Sequence, residues 1–277
     1  MIRHSVSFRC GGETRNTLTD WMLLQEQLPT FVPPKVRMNM IELPGASGAV
    51  DLSDTVTGYP LYQNREGSLK FLVSEPRRWR STYNEIMEYL HGQAMEAVLE
   101  DEPDWCYTGR FWVDDMACEE HRGTIAISYS VDPYKWALQY TDEPWRWNPF
   151  SFIDGVIYNG TYVDTSVEPN VTYQGAGLMT GIEVGTTPIE LAYTAQATGS
   201  APQSVKFSAA SAAVTITIMD GATTLKSFNI ASGGNAVQPG LVLYRGKWLY
   251  LGKAATVYAQ TASGTATLSL SFRPGRL

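Results

Sequence analysis

Residues 34–73, PKVRMNMIELPGASGAVDLSDTVTGYPLYQNREGSLKFLV, decide the fold class of this chain. Val36, Met38 and Met40 are separated by Arg37 and Asn39, the period-2 pattern of a half-buried strand, with Leu43 a candidate for the same face. Pro44, Gly45 and Gly48 then predict a reversal, because glycine has no Cβ to forbid positive φ. Beyond the turn Leu61, Leu69, Phe71 and Val73 resume the alternation. The reading is two strands around a Pro-Gly-x-x-Gly turn, followed by Asp51-Leu52-Ser53 and Tyr62-x-Asn64-Arg65.

The 277 residues that surround this stretch are 44% hydrophobic and 18% charged, the composition of an ordinary globular protein of one or two domains. No apolar run reaches the eighteen or so residues that a membrane span needs, so no membrane insertion is expected. The first twelve residues, MIRHSVSFRCGG, lack the apolar core of a secretory signal, which predicts synthesis in the cytoplasm. Cys10, Cys106 and Cys118 are too few and too scattered for a disulfide framework. Cys118-x-x-His121 has a metal-like spacing, but a structural zinc site takes four ligands and no second pair exists, so no metal is expected. Residues 1–138 hold 13 Lys and Arg against 20 Asp and Glu, whereas residues 139–277 hold eight of each. An acidic first half disfavours direct nucleic-acid binding, which requires a basic surface to displace counterions.

Composition changes near residue 140, predicting one domain over 1–138 and a second over 139–277. In the first, Arg80–Gly92 is the best helix: Thr82 and Glu85 have capping-box spacing, Tyr83, Ile86, Met87 and Leu90 share a face, and Gly92 can end it. Strands are expected over 93–100, 106–113 and 123–131, with a turn at Asp101-Glu102-Pro103-Asp104. Leu28 to Pro34, with three prolines, reads either as a helix stop or as an extended arm. The second domain begins with a connector and strand over 139–159. It continues as short apolar-alternating strands over 171–173, 178–184, 189–194, 205–208, 214–219, 223–228, 241–244, 248–252, 254–258 and 266–272, each bounded by turn residues, the density of a two-sheet sandwich. The predicted class is therefore mainly β: an N-terminal β-rich domain with one packed helix, then a C-terminal β-sandwich.

No catalytic chemistry is predicted. His4, His91 and His121 permit a triad arithmetically, but no Gly-x-Ser-x-Gly elbow presents a serine. The carboxylates Glu100, Asp101, Glu102 and Asp104, Asp114 with Asp115, and Glu119 with Glu120 sit beside turns, where solvated charge is the simpler reading than a glycosidase pair. Gly45-x-x-Gly48 lacks the Lys-Ser/Thr of a phosphate loop, and no cofactor is expected. Aromatic residues offer a binding alternative: Trp145, Trp147, Trp248 and Tyr250 are candidates to stack on sugar rings, as in a carbohydrate-binding module on a phage or cell-surface scaffold. Trp248 and Tyr250 share a strand face that equally suits the sandwich core.

Pro44-Gly45-Ala46-Ser47-Gly48, Asp51, Tyr62, Asn64 and Arg65, with Asp132-Pro133-Tyr134 closing the first half, resemble the distal tail protein of long, non-contractile-tailed bacteriophages and their prophages. The resemblance covers roughly residues 14–138, and Phe272-Arg273-Pro274-Gly275 is similar to the family's ending. Ala46-Ser47 departs from the more polar pair expected between those glycines. The resemblance implies a non-enzymatic structural protein of the virion tail tip with a galectin-like or jelly-roll C-terminal domain. It also implies a homohexameric ring between the tail tube protein and the tail-associated hub or lysin protein. Receptor-binding proteins would dock at the periphery, and DNA would pass through the lumen without specific binding.

Overall fold

The computed structural model describes residues 4–25, 28–45, 47–73, 75–119, 122–141, 156–158, 161–163, 181–193 and 199–277. They form two compact units, 1–37 with 61–138 and 277, and 38–60 with 139–276. The second unit thus takes in the hairpin segment that the sequence reading places with the first. Because Met38–Pro60 carries three acids and no Lys or Arg, the acid excess of the first half is shared between the two units, at −4 and −3.

The first unit is an antiparallel sheet and one helix. In chain order its strands are β1 (Val6–Cys10), β2 (Glu13–Asn16) and β3 (Leu23–Gln25). After the hairpin strands β4 (Met40–Glu42) and β5 (Ala49–Asp51), which belong to the second unit, come β6 (Arg65–Val73), α1 (Trp79–Leu90), β7 (Gln93–Leu99), β8 (Trp105–Glu119), β9 (Arg122–Val131) and β10 (Lys135–Ala137). The sheet order is β2-β1-β7-β8-β9-β6-β3, with β10 on β8. Phe8, Phe71, Phe111, Ile125, Ile127 and Tyr129 share one core with Ile86 and Leu90 of the helix, which also buries Thr82. Burying Thr82 corrects the capping box: the helix starts at Trp79, within one residue of the expected start, after a 3₁₀ turn over Pro76–Arg78, so Thr82 is inside it and no side chain caps it. Gly92 ends it as expected, at φ +74°.

Strand β8 runs past its predicted end because a bulge at Asp114 restores its pairing with β9: Val113 faces Ile127 while Asp115 faces Ala126. Gly67 has a different reason. A Cβ there would lie 2.6 Å from the Tyr129 hydroxyl, which accepts the Val32 N–H at 2.9 Å. Phe31 stacks on Tyr107 at 4.0 Å. Together these contacts lay the proline-rich 28–34 segment along the sheet as an extended arm, which settles the choice left open by the sequence.

In the second unit β11 (Val156–Tyr158) pairs with β12 (Thr161–Val163). The sandwich is built from β13 (Ile182–Val184), β14 (Ile189–Glu190), β15 (Lys206–Ala210), β16 (Val214–Asp220), β17 (Thr223–Ile230), β18 (Asn235–Val237), β19 (Leu241–Tyr244), β20 (Lys247–Tyr250), β21 (Lys253–Thr261) and β22 (Ala266–Ser271). One sheet runs β13-β22-β15-β18 and the other β17-β16-β21-β20-β19, with β14 on β21. Phe207, Ile216, Leu243, Trp248, Val257 and Leu268 meet between them. Alternation with period 2 located strands such as β16 and β22 because each buries one face only. The short strand β18 was missed, its pattern being too brief. The predicted strand over 171–173 lies outside the described residues.

Candidate assembly surface

Six residues of the motif lie where the start of β6 pairs with the end of β9, Arg65 opposite Val131. Arg65 is 6% exposed. Its Nε donates to the Pro133 carbonyl at 2.9 Å and Nη1 to the Val32 carbonyl at 3.5 Å, and the guanidinium lies 5.5 Å from the Tyr107 ring centroid. Burial depresses its pKa below the ordinary arginine value, opposed by Tyr107, Tyr129 and Glu102. Tyr62 meets Tyr134 edge-on at 5.8 Å, Asn64 donates to Ser130 Oγ at 3.5 Å, and Trp136 Nε1 donates to Asp132 at 3.1 Å. The sequence separates these residues by about seventy positions, and the fold uses them to tie the sheet's end to the proline-rich arm.

Burial first, then the Glu102 carboxylate, push the Tyr107 hydroxyl up to about 12, against the pull of Arg65. The folded state therefore keeps a proton that the unfolded chain releases near pH 10. The stability this contributes is whole below pH 10 and is lost as the pH rises through about 12, no more than about 2 kcal/mol once solvent screening is allowed for. Urea unfolding at pH 8, 10 and 11.5 should show that slope, and Tyr107→Phe should make it shallower without abolishing it, because burial raises Tyr59, Tyr89, Tyr129 and Tyr193 as well. An equally steep slope in the variant would assign the effect to other groups.

Pro44, Gly45, Gly48 and Asp51 belong to the β4–β5 hairpin. Both glycines have φ +84°, which L side chains rarely adopt. Asp51 accepts the Ser53 N–H at 2.9 Å and the Ser53 hydroxyl, and these hydrogen bonds hold its carboxyl below the usual range. Ser53 Oγ in turn accepts the Asn39 N–H at 2.8 Å. Asp-Leu-Ser is thus a clamp across the hairpin base.

The hairpin itself overturns the half-buried reading of Val36, Met38, Met40 and Leu43. All four are exposed, Met38 at 73%. Ile41 and Val50, which face each other across the ribbon, are exposed too, as is Val56 at 81%. The alternation was real, but a ribbon of two three-residue strands has no second layer beneath it, so neither face is covered.

At its base the segment is seated by glycine contacts that the sequence reading missed. A Cβ on Gly252 would lie 2.1 Å from the Val56 carbonyl oxygen, and one on Gly58 would lie 2.5 Å from the Gly252 oxygen. Tyr59 packs on Tyr244 at 5.3 Å, and burial raises its hydroxyl pKa. A lone glycine in a turn reads the same in sequence whether the turn or a distant backbone requires it.

Several of the candidate groups elsewhere make structural contacts. Glu100 accepts both the N–H and the hydroxyl of Ser5, Glu102 pairs with Lys135, and Asp114 accepts from Ser128. His91 Nδ1 accepts the Val113 N–H. Trp248 is 4% exposed, with Nε1 donating to Leu191, so no sugar can stack on it, and Tyr250 packs on the same core. Trp145, Trp147, the Cys118 side chain and His121 lie outside the described residues. No group of metal-ligating residues occurs among the described residues.

No family model matches the chain, and no curated protein does. Among solved structures it is similar to the SPP1 Dit (gp 19.1) protein, described as a paradigm of the hub adsorption apparatus in phages that infect Gram-positive bacteria. The match has a TM-score of 0.53 at 13% identity and covers 98% of this chain and 99% of that one. The fold is Dit-like. At this identity the likeness lies in architecture, mainly β with one helix, and spans both units.

Proposed function

We propose that this chain is a structural tail protein of a long-tailed bacteriophage or prophage, forming a homohexameric ring at the tail tip. In this reading the ring joins the tail tube protein to the tail-associated hub or lysin protein and offers its periphery to receptor-binding proteins. One observation carries it: the likeness to a phage hub protein runs end to end through both units. A shared sandwich alone would match only half of the chain. The exposed hairpin supports it further, since Met38, Met40, Ile41 and Val50 are apolar side chains left open to a protein contact. No helix among the described residues is long and apolar enough to cross a membrane. The role requires no catalytic group or cofactor, and DNA would pass the lumen without specific contacts.

The test is the purified full-length chain in negative stain and native mass spectrometry. Six-fold rings of 30.7 kDa chains are the expected result. A persistent monomer that binds glycans would overturn it in favour of a carbohydrate-binding module. Cutting at 138 is the wrong experiment, because it parts Met38–Pro60 from Gly252 and Tyr244 at its base.

A further inference from the structure

We infer that the groove beneath the proline-rich arm is a binding site for an extended segment of a partner protein, one that seats a proline and an aromatic ring two residues apart and sets a carboxylate on Arg65. Residues 28–34 are a releasable strap that fills it in this chain. The arm shows what the groove accepts. Pro29 and Phe31 are buried while Leu28, Thr30, Val32 and Pro33 are exposed, so every second residue is presented inward, as in an extended ligand. Phe31 is stacked on Tyr107 at 4.0 Å and met edge-on by Tyr129 at 4.7 Å and Phe111 at 6.4 Å. Gly67 leaves the floor open, since a Cβ there would come within 3.1 Å of Val32 Cγ2. An extended, proline-bearing segment on an aromatic-lined groove is the geometry of proline-rich peptide recognition, in which a stiff ligand loses little entropy on binding.

The arm is held as a ligand is held. Among the described residues no backbone–backbone hydrogen bond involves 28–34, and the nearest, from the Gln63 N–H to the Lys35 carbonyl, lies beyond it. Its backbone is fixed through Val32, and by side chains: the Val32 N–H donates to the Tyr129 hydroxyl at 2.9 Å, and its carbonyl accepts from Arg65 Nη1 at 3.5 Å. A segment outside the ladder opens before the sheet does.

The arm is also an incomplete occupant. Arg65 is 6% exposed, its Nε is taken by the Pro133 carbonyl, and its Nη2 is buried without an acceptor. Glu102 is paired with Lys135. A buried guanidinium with an unfilled donor is costly. A carboxylate placed where the Val32 carbonyl lies would fill Nη1 and Nη2 together, the forked pairing that arginine favours and that a single neutral carbonyl cannot supply.

The probe is the pentapeptide Leu-Pro-Thr-Phe-Val, the sequence of residues 28–32, labelled at its N-terminus and made either with a free C-terminal carboxylate or as the amide. Anisotropy with the full-length Phe31→Ala chain, whose strap has lost its anchor, should show the acid binding at least about tenfold tighter than the amide. The original chain, whose strap competes, should bind the acid at least about tenfold more weakly than Phe31→Ala does. Adding Arg65→Gln should bring acid and amide to within about threefold of each other. Phe31→Leu keeps an apolar anchor and should rank the two peptides in the same order, which guards against misfolding of the alanine variant. In the original chain, hydrogen exchange should be at least about a hundredfold faster at Val32 than along β9, which lies between β8 and β6. Equal affinity for acid and amide, or no binding by either Phe31 variant, would overturn the site. Val32 exchanging as slowly as β9 would overturn the strap. Pairing of original chains that Phe31→Ala abolishes would give the groove to the arm of a second copy and overturn the partner reading.

Discussion

Trp248→Ala should lower the stability of the sandwich by about 3–5 kcal/mol, the range for emptying a large aromatic from a core. The ring is stacked on Phe207 at 5.9 Å and met edge-on by Tyr193 at 6.4 Å, so its removal leaves a hole lined by two other aromatics. Nε1 also donates to the Leu191 carbonyl at 2.5 Å, and alanine would leave that buried oxygen without its donor. Trp248→Phe separates the two terms, since it keeps most of the volume and loses only the hydrogen bond, at a cost of about 1–2 kcal/mol. Denaturant unfolding followed by circular dichroism measures both. A loss below about 1 kcal/mol for the alanine variant would mean that the ring does not organise this core.

Gly252→Ala is expected to unseat the hairpin, weakening its docking on the sandwich by about 2–4 kcal/mol through left-handed strain and overpacking together. Gly252 has φ +79°, and the added Cβ would meet Val56 O at 2.1 Å and Val56 C at 2.8 Å. Both are backbone atoms, which cannot rotate away as a side chain would. Gly221→Ala is the control: φ is +56° there, but nothing lies within 4 Å of the new Cβ, so it carries the conformational cost alone, about 1–2 kcal/mol. Limited proteolysis should cut Met38–Pro60 faster in Gly252→Ala than in Gly221→Ala or the original chain. The sandwich should still unfold cooperatively. Equal cleavage in all three would show that the glycine contact does not hold the hairpin.

Several features were legible in the sequence because they are local. The hairpin turn follows from Pro44, Gly45 and Gly48, whose conformational demands act within four residues. The sandwich strands follow from alternation, because each strand turns one face to the core and one to water. The helix starts within one residue of the expected Arg80 and ends at Gly92 as expected, while Thr82 serves packing instead of capping. Whether an alternating strand is covered is a different question, and Met38 and Met40 show it: their pattern matches that of Leu69 and Phe71, yet the first pair is exposed and the second buried. Only a second layer decides that, and only tertiary structure supplies it. The same holds for Arg65, whose environment comes from Val32, Tyr107 and Pro133, and for Gly58 and Gly252, which meet across nearly two hundred residues. Local rules govern backbone torsion and periodicity; long-range contact determines which of the resulting surfaces are buried and which are left for a partner.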